Sequence, residues 1–124
     1  MRIHQVECKV ETAASLDFLD VTDEVCEAIT ESGITEGQVT VFSTENGCTL
    51  LINERESGLL SDIRAALDRL GAHDVHSRNA LIGSSSIVLP VTEGTLRLGT
   101  WQRVLLAELE HAGFRSVVIQ VVGG

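Results

Sequence analysis

Gln38-Val39-Thr40-Val41-Phe42-Ser43-Thr44-Glu45-Asn46-Gly47-Cys48-Thr49-Leu50-Leu51-Ile52-Asn53 is the stretch that decides the fold class. Residues 38–43, centred on Val39, Val41 and Phe42, have the β-branched and aromatic character of a strand, and residues 49–53 return as another. Asn46-Gly47 lies between them. That pair is a strong hairpin signal, because both residues tolerate the positive φ of a type I′ turn. Strand, tight turn and returning strand imply antiparallel pairing, so the chain is built around an antiparallel sheet.

On the amino-terminal side, residues 3–11 alternate as a strand and residues 16–21 suit a second, short one. Thr22-Asp23-Glu24 then starts a helix, with a hydroxyl cap and two carboxylates at the positive end of its dipole. Val25, Ala28 and Ile29 follow at helical spacing, and Gly33 ends the helix. On the carboxyl-terminal side, Ser57 is placed to cap a second helix with the apolar stripe Leu60, Ile63, Leu67 and Leu70, stopped by Gly71. After a polar segment over 72–79 the chain turns strand-rich. Residues 85–91 form a strand in which Pro90 demands an edge or a bulge, and Thr92-Glu93-Gly94 is a turn. Residues 96–108 read as one long strand bent near Gly99, and residues 115–122 close the chain. Few helices among many antiparallel strands make an α+β, β-sandwich-like domain with two helices.

The 124 residues suit one domain spanning 1–124. A net charge of −9 argues against a nucleic-acid binder, which needs a basic face, and against docking on an anionic membrane. An acidic surface serves solubility instead. The first residues are polar, with no apolar signal core, and no apolar run nears the roughly 20 residues that span a bilayer. A cytoplasmic protein is the expectation. Cys8, Cys26 and Cys48 lie far apart with no CxxC pair, so neither a disulfide framework nor a thiol catalyst is indicated. His73, Asp74 and His76 cluster in sequence, but a catalytic metal needs three or more converging protein ligands, and no metal site is assigned.

Four ordered phrases carry a resemblance to a known family. Leu98-Gly99-Thr100-Trp101-Gln102 is the most specific. Leu51-Ile52-Asn53-Glu54 precedes it, as does His76 with Ala80-Leu81-Ile82-Gly83-Ser84-Ser85, and Ile87-Val88-Leu89-Pro90-Val91 with Glu93-Gly94 completes the set. In this order they resemble the YjbQ-like family, whose members are linked to forming thiamine phosphate from a pyrimidine pyrophosphate and a thiazole phosphate. The resemblance covers nearly the whole chain. It implies an antiparallel β-sandwich with helices on one side, a homotrimer, and a pocket near subunit contacts that takes a small phosphorylated molecule.

Carried onto this sequence, the resemblance makes His76, Glu54 and Gln102 the catalytic candidates, with Asn53, Glu45, Glu108 and Arg115 around the ligand. Arg115 is the candidate phosphate clamp, because guanidinium binds phosphate bidentately. A contact between Glu108 and Arg115 across the last turn is the structural alternative. No cofactor is demanded, and Mg2+ is the one candidate. Two departures bear on the chemistry. Glu45 stands where the family has a histidine, and an ionised carboxylate accepts hydrogen bonds without donating. The family's longer histidine- and tyrosine-bearing loop after the second helix is missing, and the chain has no tyrosine. A divergent transferase and a non-catalytic trimeric or ligand-binding relative are therefore both open. Trp101, the only tryptophan, is expected in the core or at a subunit contact.

Overall fold

Strand alternation along residues 2–12 and 113–123 produces the longest pairing in the computed structural model, which describes residues 1–124. Strand β1 (Arg2–Thr12) runs antiparallel to β8 (Gly113–Gly123) over their full lengths. Next to β8 lie β3 (Gly37–Ser43), then β5 (Ser86–Thr92) and the two-residue β6 (Thr95–Leu96), giving the order β1-β8-β3-β5-β6. A smaller sheet of β2 (Phe18–Asp20), β7 (Arg103–Glu108) and β4 (Cys48–Asn53) packs on it in the order β2-β7-β4. Every pairing is antiparallel.

The main core lies between the sheets. Val39, Val41, Val117, Ile119 and Val121 of the large sheet meet Leu50, Val104 and Leu106 of the small one. Helix α1 (Thr22–Ser32) adds Val25, Ala28 and Ile29 to the same core. A second cluster of Phe18, Leu60, Leu105, Ala107 and Leu109 seals the other face of the small sheet beneath helix α2 (Ser57–Arg69). Because β7 is covered on both faces, it is buried from Val104 through Glu108, which explains its unbroken apolar run. The α+β class holds.

Several local expectations are corrected. The segment at Asn46-Gly47 is not a hairpin, since β3 and β4 belong to different sheets. Neither residue has the positive φ a type I′ turn requires. The chain crosses between layers there, with Cys48 N donating to Glu45 O (3.2 Å) and Leu109 N to Gly47 O (2.8 Å). The positive-φ pair is instead Glu93 (53°) and Gly94 (76°), joining β5 to β6. Residues 96–108 are not one strand. Gly99 N donates to Gln102 Oε1 (2.8 Å) and Gln102 N to Gly99 O (3.1 Å), closing a turn that carries the chain from one sheet to the other. Pro90 sits where the outer strand is ending: its carbonyl accepts from Arg97 N, and no amide is needed on that side.

The caps differ too. Val21, not Thr22, precedes α1, and the Thr22 hydroxyl accepts from Val104 N (2.8 Å), tying the helix to β7. Glu56, not Ser57, caps α2, its carboxylate accepting from Gly58 N and Leu59 N (2.8 Å each). A third helix, α3 (Val75–Leu81), beyond the two expected, forms across the end of the polar segment. Asp74 caps it, accepting from Ser77 N (2.8 Å). No helix is long and apolar enough to cross a membrane.

Candidate functional site

The pairing of β4 with β7 sorts the candidate residues. Asn53 stands opposite Arg103 and Cys48 opposite Glu108, so these pairs are five residue steps, about 17 Å, apart along the small sheet. Asn53, Glu54 and Gln102 belong to the Arg103 end. Glu45, Glu108 and Arg115 belong to the other. His76 also belongs to the far end, because Arg78 and Asn79 anchor α3 there. Arg78 Nη1 donates to Leu109 O (3.2 Å) and Asn79 Nδ2 to Asn46 O (2.6 Å). Within one chain the seven candidates form two groups and not one.

At the Arg103 end a cleft of about 460 Å³ opens between the 97–102 turn and the start of α2. Asp20, Glu54, Arg55, Glu56, Thr100, Trp101 and Arg103 line it, so Glu54 is the one candidate on its wall. Trp101 is 73% exposed and belongs to no core cluster, which takes it out of the core. Arg103 is committed: its Nε donates to Asp20 Oδ2 (2.7 Å), and Asp23 lies 3.6 Å from its Nη2. Burial pushes the Asp20 carboxyl up, but the hydrogen bonds from Arg103 and Thr22 outweigh it and hold the group below the usual range. Asn53 Oδ1 accepts from Glu54 N (2.8 Å), a strand-end turn that leaves the Glu54 side chain exposed at the mouth. The Gln102 amide is folded back on Gly99.

The far end is closed. Glu108 is fully buried, and its Oε1 accepts from Arg115 Nε (2.7 Å) and from the Thr12 hydroxyl. Its Oε2 accepts from Glu110 N (3.2 Å) and lies 3.5 Å from Cys48 Sγ. Burial would raise its pKa, but the hydrogen bond from Arg115, with those of Thr12 and Glu110 N, brings it below the usual carboxylate range. Arg115 is held charged, chiefly by Glu108, and also donates to His111 O (2.7 Å). This is the Glu108–Arg115 contact raised above as the structural alternative, although it links the two sheets and not the arms of a hairpin. Glu45 is half-buried and close enough for its negative charge to help hold Arg115 protonated. His76 is exposed on the first turn of α3. No three His, Cys, Asp or Glu side chains are grouped so as to hold a metal.

Burial, with Glu108 beside it, pushes the Cys48 thiol up to about 12. At pH 8 its thiolate is roughly a thousandfold scarcer than that of a free cysteine. Native protein treated with iodoacetamide is therefore expected to stay unmodified at Cys48, by peptide mass spectrometry, and to react there once unfolded in urea. Labelling of native Cys48 at the rate of a free thiol would mean that the pocket around Glu108 is open.

The family model for UPF0047 proteins of the YjbQ-like type matches residues 6–124. The chain belongs to this YjbQ-like family. A UPF0047 protein of Methanothermobacter thermautotrophicus is 35% identical, over 99% of this chain and 94% of its own. One from Archaeoglobus fulgidus is 34% identical, over 94% and 100%. Among solved structures, a protein of unknown function from Sulfolobus solfataricus superposes with a TM-score of 0.89 at 26% identity, covering 99% of both chains. A Clostridium acetobutylicum structure gives 0.88 at 29%, covering 95% of this chain and 98% of that one. The YjbQ-like phrases quoted from the sequence therefore mark real kinship, yet they do not form one site within a chain.

Asp20, Arg55, Glu56 and Arg103 were not singled out from the sequence, and Thr100 only as part of a quoted phrase. The usable signal was Trp101: reading Gly99 as a break and not a bend would have placed the indole on a loop beside the residues following β4.

Proposed function

We propose that this YjbQ-like protein binds a small organic molecule in the Trp101 cleft, as a ligand-binding relative and not an efficient transferase. The observation that carries this is the indole: a large apolar ring, 73% exposed on a cleft wall, with Thr100, Glu54 and Arg55 beside it. Ligand pockets are concave and usually mostly apolar; this one carries its apolar surface on the indole alone among polar and charged groups, which suits a polar or charged small molecule. Against efficient transfer stands the placement of His76, about a sheet's length from Glu54, and a carboxylate at Glu45 where the resemblance calls for an imidazole.

The second reading is the transfer that the resemblance implies, forming thiamine phosphate with loss of pyrophosphate and with Mg2+ as its candidate cation. Glu54 on the cleft wall favours it. A homotrimer would help, since residues from the far end of one copy could complete the cleft of the next. Ile3, Phe42 and Val88 are exposed on the outer face of the large sheet and would serve as contact surface.

With one tryptophan and no tyrosine, emission reports Trp101 alone. The pyrimidine and thiazole alcohols and their phosphates should be titrated while emission is followed, with mass spectrometry for thiamine phosphate in the Mg2+-containing mixture. Saturable change without product is the expected result, with an affinity that calorimetry finds at least about tenfold weaker in Trp101→Ala. Product above a His76→Ala control would move the conclusion to the transferase. No spectral change with any compound would sink the reading of the cleft as a ligand site.

A further inference from the structure

We propose that the Trp101 cleft selects an organic cation, a planar or quaternary nitrogen group seated on the indole and paired with Glu54, and turns multiply charged anions away. This rests on the reading that the cleft is a ligand site, and it fixes the chemical class of the ligand.

The charges around the cleft decide the sign. Three carboxylates, Asp20, Glu54 and Glu56, face two guanidiniums, Arg55 and Arg103. Arg103 is taken by Asp20 at 2.7 Å, with Asp23 close behind, so it neutralises its own partners and has little left for a ligand. The start of α2 opens on the cleft, and a helix N-terminus is ordinarily a ready anion site. Here it is already filled. Both oxygens of Glu56 accept from Gly58 N and Leu59 N at 2.8 Å, so the protein's own carboxylate occupies the place a phosphate would take. Those two bonds hold the Glu56 pKa below its usual value, keeping the plug charged. Arg55 is the one uncommitted guanidinium on the wall and Glu54 the one uncommitted carboxylate, in a lining whose carboxylates outnumber its guanidiniums by one.

An arriving cation meets the opposite situation. The indole face attracts positive charge through its quadrupole. Glu54, exposed on the same wall, makes no side-chain hydrogen bond or ion pair within the chain. Across the whole molecule, the net charge of −9 draws cations in and slows anions.

The test uses three benzene-ring probes that differ in charge: benzyltrimethylammonium, benzyl alcohol and phenyl phosphate. Each is titrated at low ionic strength against the full chain, with Trp101 emission and calorimetry as readouts. The ammonium should bind about tenfold tighter than the alcohol, and phenyl phosphate more weakly than either. Glu54→Gln, an exposed and nearly isosteric change, should erase most of the preference for the ammonium over the alcohol. Phenyl phosphate binding as tightly as the ammonium, or an unchanged preference in Glu54→Gln, would overturn the cation assignment and leave the ligand site standing. Failure of all three probes to bind the wild-type protein would take both down together.

Discussion

Replacing Arg115 with alanine lowers the unfolding free energy by about 3–5 kcal/mol at neutral pH, the usual cost of stripping one partner from a buried ion pair. The carboxylate left behind, Glu108, has no exposed surface, and its strongest donor is the Arg115 Nε at 2.7 Å. Thr12 and Glu110 N remain, but they are neutral donors. The pH dependence has a definite sign. The native carboxyl lies below its unfolded value, so the pair's contribution is complete above the ordinary carboxylate range and is lost as pH falls through the depressed native value. In Arg115→Ala, burial dominates and the carboxyl is pushed up instead, so it takes on a proton at mildly acid pH. The deficit relative to wild type should therefore shrink on acidification. Urea unfolding of both proteins from pH 7 to pH 4 measures it. A deficit below about 1 kcal/mol at pH 7 would place the pair among ordinary surface ion pairs and undo this account.

The same pair bears on what Arg115 can do for a ligand. Its Nε holds Glu108 and its Nη2 holds His111 O, so an incoming phosphate would have to compete with a buried carboxylate for the guanidinium. Arg55, with no such commitment, is the freer cation, and it directly follows the Leu51–Glu54 phrase.

Strand existence and face were legible because period-two alternation reports directly which side chains go inward. Residues 3–11 pair along their length with β8, and of the stripe Leu60, Ile63, Leu67 and Leu70 the first two pack against the small sheet, Leu67 is buried, and Leu70 is exposed at the helix end. Sheet membership was not legible. Alternation says which face a residue takes but not which sheet, and every consecutive strand pair except β5 with β6 divides between the two sheets. Asn46-Gly47 misled for the same reason: local turn chemistry favoured a hairpin, and the longer pairings of β3 with β8 and β4 with β7 overrode it. Helix α3 was missed because seven residues carry too few apolar positions for a stripe. Its docking relies on polar anchors, Arg78 and Asn79, which no periodicity reveals. That omission hid the side of the molecule on which His76 lies.

Gly83 shows how a legible phrase can conceal its physical reason. Ala80-Leu81-Ile82-Gly83 stood out in the sequence, and the structure makes the glycine a pivot between α3 and β5. Its φ is +62°, a conformation that costs a side-chain-bearing residue about 1 kcal/mol or more. A Cβ there would sit 2.5 Å from Leu50 O and 3.0 Å from Thr49 Oγ1, closer than real contacts allow. The nearer atom is backbone of a buried strand and has no room to retreat. The chain must pass this close because Leu50 N donates to Ser84 O (2.7 Å) and Ser84 N to Leu50 O (2.9 Å), a bridge that closes the edge of β4. Gly83→Ala therefore has two routes, and both are unfavourable. It can keep the bridge and bear the strain, or give up two hydrogen bonds and release α3. Either is expected to destabilise by about 2–4 kcal/mol, the range of substitutions that combine backbone strain with a steric clash. Hydrogen exchange separates the two. Strain with the bridge kept leaves the Leu50 and Ser84 amides protected in a less stable protein, whereas release exposes them together with α3 while the β1–β8 ladder stays protected. A variant as stable as wild type with both amides protected would mean that the backbone at Leu50 yields, and that the glycine is not what this crossing requires.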